Sequence, residues 1–201
     1  MPIKTPETER RFLKVSELRI KDGGDDKPKT IIGYPAVFNK LSEDLGGFRE
    51  KISPGAFTET LEADDDVRAL IDHDTSKILG RNKAGTLKLE QNTKGLKATI
   101  KPPDTQAGRD ITTSLSRGDI DGMSFGFRTI DDSWETVDGE EIRTLKKVKL
   151  FDVSVVTYPA YPDTSVAVRS LDEAREARKP KIETLRMRLE LAEKDILGGT
   201  K

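Results

Sequence analysis

At 201 residues, with 34% apolar and 35% charged side chains, the chain is long enough for one domain with a real core plus solvated extensions, and two full domains would be cramped. Its 35 basic and 36 acidic residues leave a formal charge of -1, so no overall field favours nucleic acid, an anionic membrane or an acidic substrate, and a broad DNA-coating role is not expected. No apolar run reaches the length of a membrane span, and zero cysteines fit a reducing compartment while removing a disulfide framework, a thiolate metal site and a cysteine nucleophile. The expectation is a soluble, unexported protein whose nucleophile is an oxygen or an amine.

Residues 1–11 are charged and read as an N-terminal extension. Residues 12–20 and 30–38 are rich in β-branched and aromatic side chains and flank Asp22-Gly23-Gly24-Asp25-Asp26, so they predict two paired strands. Ser53-Pro54 offers an N-cap and a first-turn proline ahead of Ala56, Phe57 and Leu61, which predicts a short helix starting there. A short apolar strand over 67–71 leads directly to Asp72-His73-Asp74. Residues 86–90 and 95–101 alternate across Asn92-Thr93-Lys94-Gly95, a hairpin pattern with Leu87, Leu89, Leu96, Ala98 and Ile100 inward.

Ala107, Ile111 and Leu115 have helical spacing within 105–117, and Gly118 supplies the stop. Strands follow over 123–130 and 148–157, the second ended by Tyr158-Pro159-Ala160-Tyr161-Pro162, which cannot sit in a central ladder. The body, residues 12–169, is thus α+β and mostly β, with about seven or eight strands and two helices, and a small closed or near-closed β-barrel is the expected architecture. After Arg169 the composition turns to Glu, Arg, Lys and Leu. Ile182, Leu185, Leu189, Ala192 and Ile196 then draw an apolar stripe on a helix, so 170–201 reads as a charged helical tail that either docks weakly on the body or serves as a partner-binding or removable segment.

Three positions carry chemistry together that none carries alone. His73 is the only histidine, placed just after a strand between two aspartates. Ser124 lies in Gly122-Met123-Ser124-Phe125-Gly126-Phe127, where the local pattern alone reads as a buried strand serine satisfied by backbone. Asp152 sits inside the apolar run Phe151-Asp152-Val153-Ser154-Val155-Val156, and an ionised carboxylate there costs several kcal/mol unless it is paired. A serine hydroxyl attacks a carbonyl when an imidazole takes its proton and a third group orients that imidazole. Asp72 and Asp74, in extended backbone, would project away from His73, so Asp152 from an adjacent strand is preferred as the orienter.

A single histidine makes a poor zinc site, and Asp44-Leu45-Gly46-Gly47 and Leu197-Gly198-Gly199 lack the lysine and helix of a phosphate loop, so no metal, nucleotide or other cofactor is expected. No Gly-x-Ser-x-Gly elbow is present, which argues against an α/β-hydrolase esterase.

The segments Gly33-Tyr34-Pro35-Ala36-Val37-Phe38, Ser53-Pro54-Gly55-Ala56-Phe57, Ile71-Asp72-His73-Asp74 with Leu79-Gly80-Arg81 and Gly85-Thr86-Leu87, Met123-Ser124-Phe125-Gly126-Phe127, and residues 152–161 run in one order over about 30–169. As a set they resemble the prohead maturation proteases of HK97-like tailed phages. That resemblance implies a fold similar to the herpesvirus assembly proteases, a small β-barrel surrounded by helices, with catalytic residues in the order His73, Ser124, Asp152. The herpesvirus enzymes place a second histidine third, which this chain lacks; phage relatives commonly place an acid there, often Glu, one methylene longer than Asp.

The resemblance further implies a serine endopeptidase packaged inside the procapsid in the host bacterial cytoplasm. Its partners would be the major capsid protein, from which it cuts the scaffolding segment, and itself as an autocleavage substrate; no nucleic acid or membrane is implied, and a homo-oligomer is possible. Oxyanion donors are expected from backbone N–H groups around residues 157–161 or beside Ser124. The competing reading is a non-catalytic capsid assembly factor that keeps the protease fold.

Overall fold

A computed structural model describes residues 8–14, 18–21, 29–158 and 164–178. The chain divides into two compact units, residues 1–168 and 169–201, the second described over its helical residues 169–178. The expected stripe from Ile182 to Ile196 lies outside the described residues.

In chain order the elements are β1 (Glu9–Lys14), β2 (Arg19–Lys21), β3 (Thr30–Val37), β4 (Arg49–Ile52), α1 (Thr58–Glu62), β5 (Arg68–Ile71), β6 (Asp74–Arg81), β7 (Leu87–Gln91), β8 (Gly95–Ile100), α2 (Gln106–Arg117), β9 (Gly122–Val137), β10 (Glu140–Val156) and α3 (Thr164–Arg178). The protein is mostly β with helices, but among the described residues its strands form two open sheets rather than a closed barrel. The larger runs β1-β9-β10-β5-β6, with β4 also on β10; the smaller runs β2-β3-β8-β7. Residues of both sheets contribute to one core. A Cβ built on Gly33 of β3 would lie 2.5 Å from the Met123 sulfur of β9, so that glycine permits the close approach. Ile31, Leu96, Ala98 and Ile100 of the small sheet share one core with Met123, Phe125, Phe127, Val153 and Val155 of the large one.

Several expectations are corrected in detail. The run 12–20 contributes to both sheets: β1 pairs with β9, while β2 pairs with β3 in the other sheet. Glu9 to Arg11 of the expected extension form the first half of β1. Helix α1 starts at Thr58 instead of Ser53, because Ser53-Pro54-Gly55-Ala56 closes a turn of its own, with Gly55 at φ 88° and the Ala56 N–H donating to the Ser53 carbonyl at 3.1 Å. Helix α2 has the anticipated form, with the Thr105 hydroxyl accepting from the Gly108 N–H and Gly118 left-handed at the end. Strands β9 and β10 extend far past the expected 130 and 148, pairing as a long arm whose turn carries Asp138 and Gly139, both at positive φ.

The first strand is held by a buried ionic cluster. Arg11 donates to Glu50 at 2.8 Å and to Glu9 at 2.6 Å, and Arg143 donates to Glu9 at 2.7 Å and to Asp132 at 2.6 Å. Thr129 adds a 2.6 Å bond to Glu9. Burial pushes the Glu9 carboxyl up, but the charges of Arg11 and Arg143 and the bonds from Arg143 and Thr129 outweigh it and hold that carboxyl below its ordinary range. The cluster fastens β1 to β4, β9 and β10, and thereby fixes the strand that flanks the serine described next.

Candidate active site

Strand β9 alternates Met123, Phe125 and Phe127 into the core, which leaves Gly122, Ser124 and Gly126 on the other face. Strand β10 alternates in the same way, with Val153 and Val155 inward and Asp152, Ser154 and Val156 opposite. Ser154 lies directly across from Ser124 in the antiparallel ladder. A register shift between Leu150 and Asp152 then places Asp152 across from Gly126, so this bulge aligns the carboxylate with the serine face. Directly opposite residues project to one side, and Ser124, Ser154 and Asp152 therefore share a face.

The imidazole arrives from a third strand. Strand β5 runs parallel to β10, with Ile71 beside Val155, and Ile71 pairs with Asp74 at the start of β6. Only Asp72 and His73 remain to make the turn, at φ 50° and 56°. Two successive left-handed residues are what a type I′ hairpin demands, and Asp and His are among the few non-glycine side chains that tolerate it. The Asp72 N–H continues the ladder to the Val155 carbonyl at 3.0 Å, while its carboxylate accepts from the Thr157 N–H at 2.8 Å and the Thr157 hydroxyl at 3.1 Å. Asp74 instead accepts from Ser76. The turn is thereby tied to β10 with His73 folded back over it.

The three residues grouped by sequence meet here in one chain of hydrogen bonds. His73 Nδ1 lies 2.6 Å from Asp152 Oδ1, and His73 Nε2 lies 2.6 Å from Ser124 Oγ. An ionised carboxylate can only accept, so Nδ1 carries the proton and Nε2 presents its lone pair to the serine O–H. Ser124 is 0% exposed and the His73 side chain 3%, so little water competes for these bonds.

Sequence reasoning missed two supporting residues. The Ser154 hydroxyl donates to Asp152 Oδ1 at 2.8 Å. A Cβ on Gly126 would lie 2.2 Å from Asp152 Oδ2, so the missing side chain is what admits the carboxylate. Their signal was present as period-two spacing, Ser124 with Gly126 and Asp152 with Ser154, but it becomes informative only once the register is known. Phe12 of β1 lies opposite Ser124, and its ring covers Gly122, where a Cβ would come 2.3 Å from Phe12 Cε2. Of the expected oxyanion donors, the Thr157 N–H is already committed to Asp72, and residues 159–161 lie outside the described residues. Ser124 itself is a mid-ladder position between Phe12 and Ser154, so amides beside it face strand partners on both edges.

Comparison with known proteins places the chain in a family. A prohead protease of Enterobacteria phage HK97 is 27% identical over 164 residues, spanning 81% of this chain and 70% of that protein. Among solved structures, the bacteriophage T4 capsid assembly protease aligns with a TM-score of 0.47 and 13% identity, over 76% of this chain and 99% of that one. The family model of the caudovirus prohead serine protease matches residues 14–178. With that match covering most of its length, and all the residues of the hydrogen-bonded cluster within it, the chain belongs to the caudovirus prohead serine protease family.

Proposed function

We propose that the protein is a serine endopeptidase in which Ser124 is the nucleophile, His73 the general base and acid, and Asp152 the group that orients the imidazole. The observation that supports this most directly is the pair of 2.6 Å contacts on opposite nitrogens of His73. As Ser124 Oγ attacks a scissile carbonyl, its proton passes to His73 Nε2, and the resulting imidazolium keeps its Nδ1–H on Asp152. The tetrahedral intermediate collapses as Nε2 gives that proton to the leaving amine, breaking the C–N bond and leaving an acyl-serine. Water then attacks the ester with His73 again as base, which returns the serine.

Family membership supports capsid maturation as the setting. In this reading the enzyme is enclosed in the procapsid within the host bacterial cytoplasm, removes the scaffolding segment from the major capsid protein, and trims itself. The experiment is to incubate the candidate capsid protein with wild type and Ser124→Ala and to map the cuts by mass spectrometry, along with the termini of both enzymes. Wild type should cut and trim while Ser124→Ala does neither. Identical fragments from both would reject the assignment, and an absence of both cutting and serine labelling in wild type would favour a non-catalytic assembly factor.

A further inference from the structure

We propose that Ser154 is a positioning residue of the site, holding the Asp152 carboxylate in the orientation that receives His73 Nδ1–H. The inference rests on the protease reading above and adds a fourth member to its hydrogen-bonded cluster.

Ser154 is 0% exposed between Val153 and Val155, both in the core, and a hydroxyl so enclosed must find partners. Among the described residues it finds them in the site: Asp152 Oδ1 at 2.8 Å and, at the longer distance of 3.3 Å, His73 Nδ1. Because a carboxylate has no proton to give, the short contact is a donation from Ser154. Asp152 Oδ1 thus accepts from both Ser154 and His73, while Oδ2 occupies the space above Gly126. The carboxylate of a short side chain is fixed at both oxygens, one by hydrogen bonds and the other by fit.

Placement on the sheet explains why serine suits the position. Ser154 is two residues beyond Asp152 on one strand, so both project to the same face, and it is directly opposite Ser124 on the next. An alanine there would remove a donor from Asp152 Oδ1. Ser154 does not compete as a nucleophile: its proton is committed to Asp152, and its nearest imidazole nitrogen is Nδ1, the protonated one. It therefore acts through Asp152 and His73 alone.

The test uses the full chain and two readouts that a purely structural serine would not move. The first is phosphorylation of Ser124 by diisopropyl fluorophosphate, in which Oγ attacks phosphorus and fluoride leaves, followed to saturation. The second is the Nδ1–H proton resonance, unambiguous because the chain has one histidine. Ser154→Ala should lower the maximal labelling rate roughly 10- to 100-fold with little change in half-saturating concentration, and should broaden or shift the Nδ1–H signal. Ser154→Thr, which keeps the hydroxyl on a strand position that suits β-branched residues, should recover most of the rate and the signal. If Ser154→Ala does not fold, Ser154→Cys, with a weak donor of similar size, replaces it in both measurements.

An unchanged rate and an unchanged Nδ1–H signal in a folded Ser154→Ala overturn the proposal while leaving the protease reading intact. A wild type that never labels at Ser124 overturns the protease reading instead, and the resonance still reports whether Ser154 governs the Asp152 to His73 bond.

Discussion

The Asp152 carboxylate lies across Gly126, in a space that exists only because residue 126 has no side chain. A Cβ there would approach Oδ2 to 2.2 Å, and what would have to yield is the end of Asp152 rather than the backbone. Gly126→Ala should therefore leave the fold standing, at a cost of about 1–3 kcal/mol for overpacking, while moving the carboxylate off His73. Labelling of Ser124 by a phosphorylating agent should drop on the order of 100-fold, the usual effect of a misplacement near 1 Å. Thermal unfolding beside labelling kinetics checks it; a folded variant that labels at the wild-type rate would contradict the role given to Asp152.

Asp152→Asn separates orientation from packing. The amide matches the carboxylate in size but presents an N–H₂ or a neutral oxygen to His73 Nδ1, so the imidazole loses both its fixed tautomer and the stabilisation of its charged form. Peptide cleavage should fall on the order of 10⁴-fold, as when the acid of a serine protease triad is neutralised. Capsid-protein cleavage followed over time, with circular dichroism to verify folding, measures this.

Acid should release the first strand. Glu9 is held below its ordinary value of 4.5, so from that pH downward the unfolded chain binds more protons at this residue than the folded one. The stability contributed by its ionised form is complete above 4.5 and is lost as pH falls through the lower folded value. Glu9→Gln should abolish this component and destabilise the protein at neutral pH by about 3–5 kcal/mol, because Arg11 and Arg143 lose a buried counter-charge. Denaturant titrations of both proteins between neutral and acidic pH test the sign: a variant whose stability falls just as steeply below 4.5 would exclude Glu9.

Phe12 stands beside a serine that is 0% exposed. Phe12→Ala should cost about 1–2 kcal/mol of stability from lost apolar burial and should raise, severalfold, the labelling of Ser124 by a small reagent. Labelling that stays equal or slows in the folded variant would show that the ring does not restrict access.

The sequence discloses parts of this site by scarcity. One imidazole in the whole chain, and one acidic residue inside an apolar strand, are enough to bring His73 and Asp152 into a single hypothesis with Ser124. What stays hidden depends on register and backbone sign. The turn at Asp72 and His73 looks like extended chain until both φ values are known, and the bulge before Asp152 leaves no mark in residue type. Glu9, Arg11, Glu50 and Arg143 read as solvated charges, since nothing local announces that four strands converge on them. The arm beyond residue 130 is polar enough to pass for loop, although Asp138-Gly139 is a strong hairpin signal. Closure is hidden for a related reason: strand patterns specify which faces are apolar, and such faces can be buried in open sheets as readily as in a barrel.

The parallel pairing of β5 with β10 also sets when the site can exist. His73 and Ser124 are separated by 51 residues, and His73 and Asp152 by 79. Contacts that distant close late, after loop entropy has been overcome by the rest of the core. During synthesis, a chain that has emerged only through Ser124 holds His73 and Ser124 but lacks β10, the strand that pairs with both β5 and β9. On the proposed assignment, completion of β10 is the event that assembles the site, so a chain cut short before residue 152 should show no labelling of Ser124.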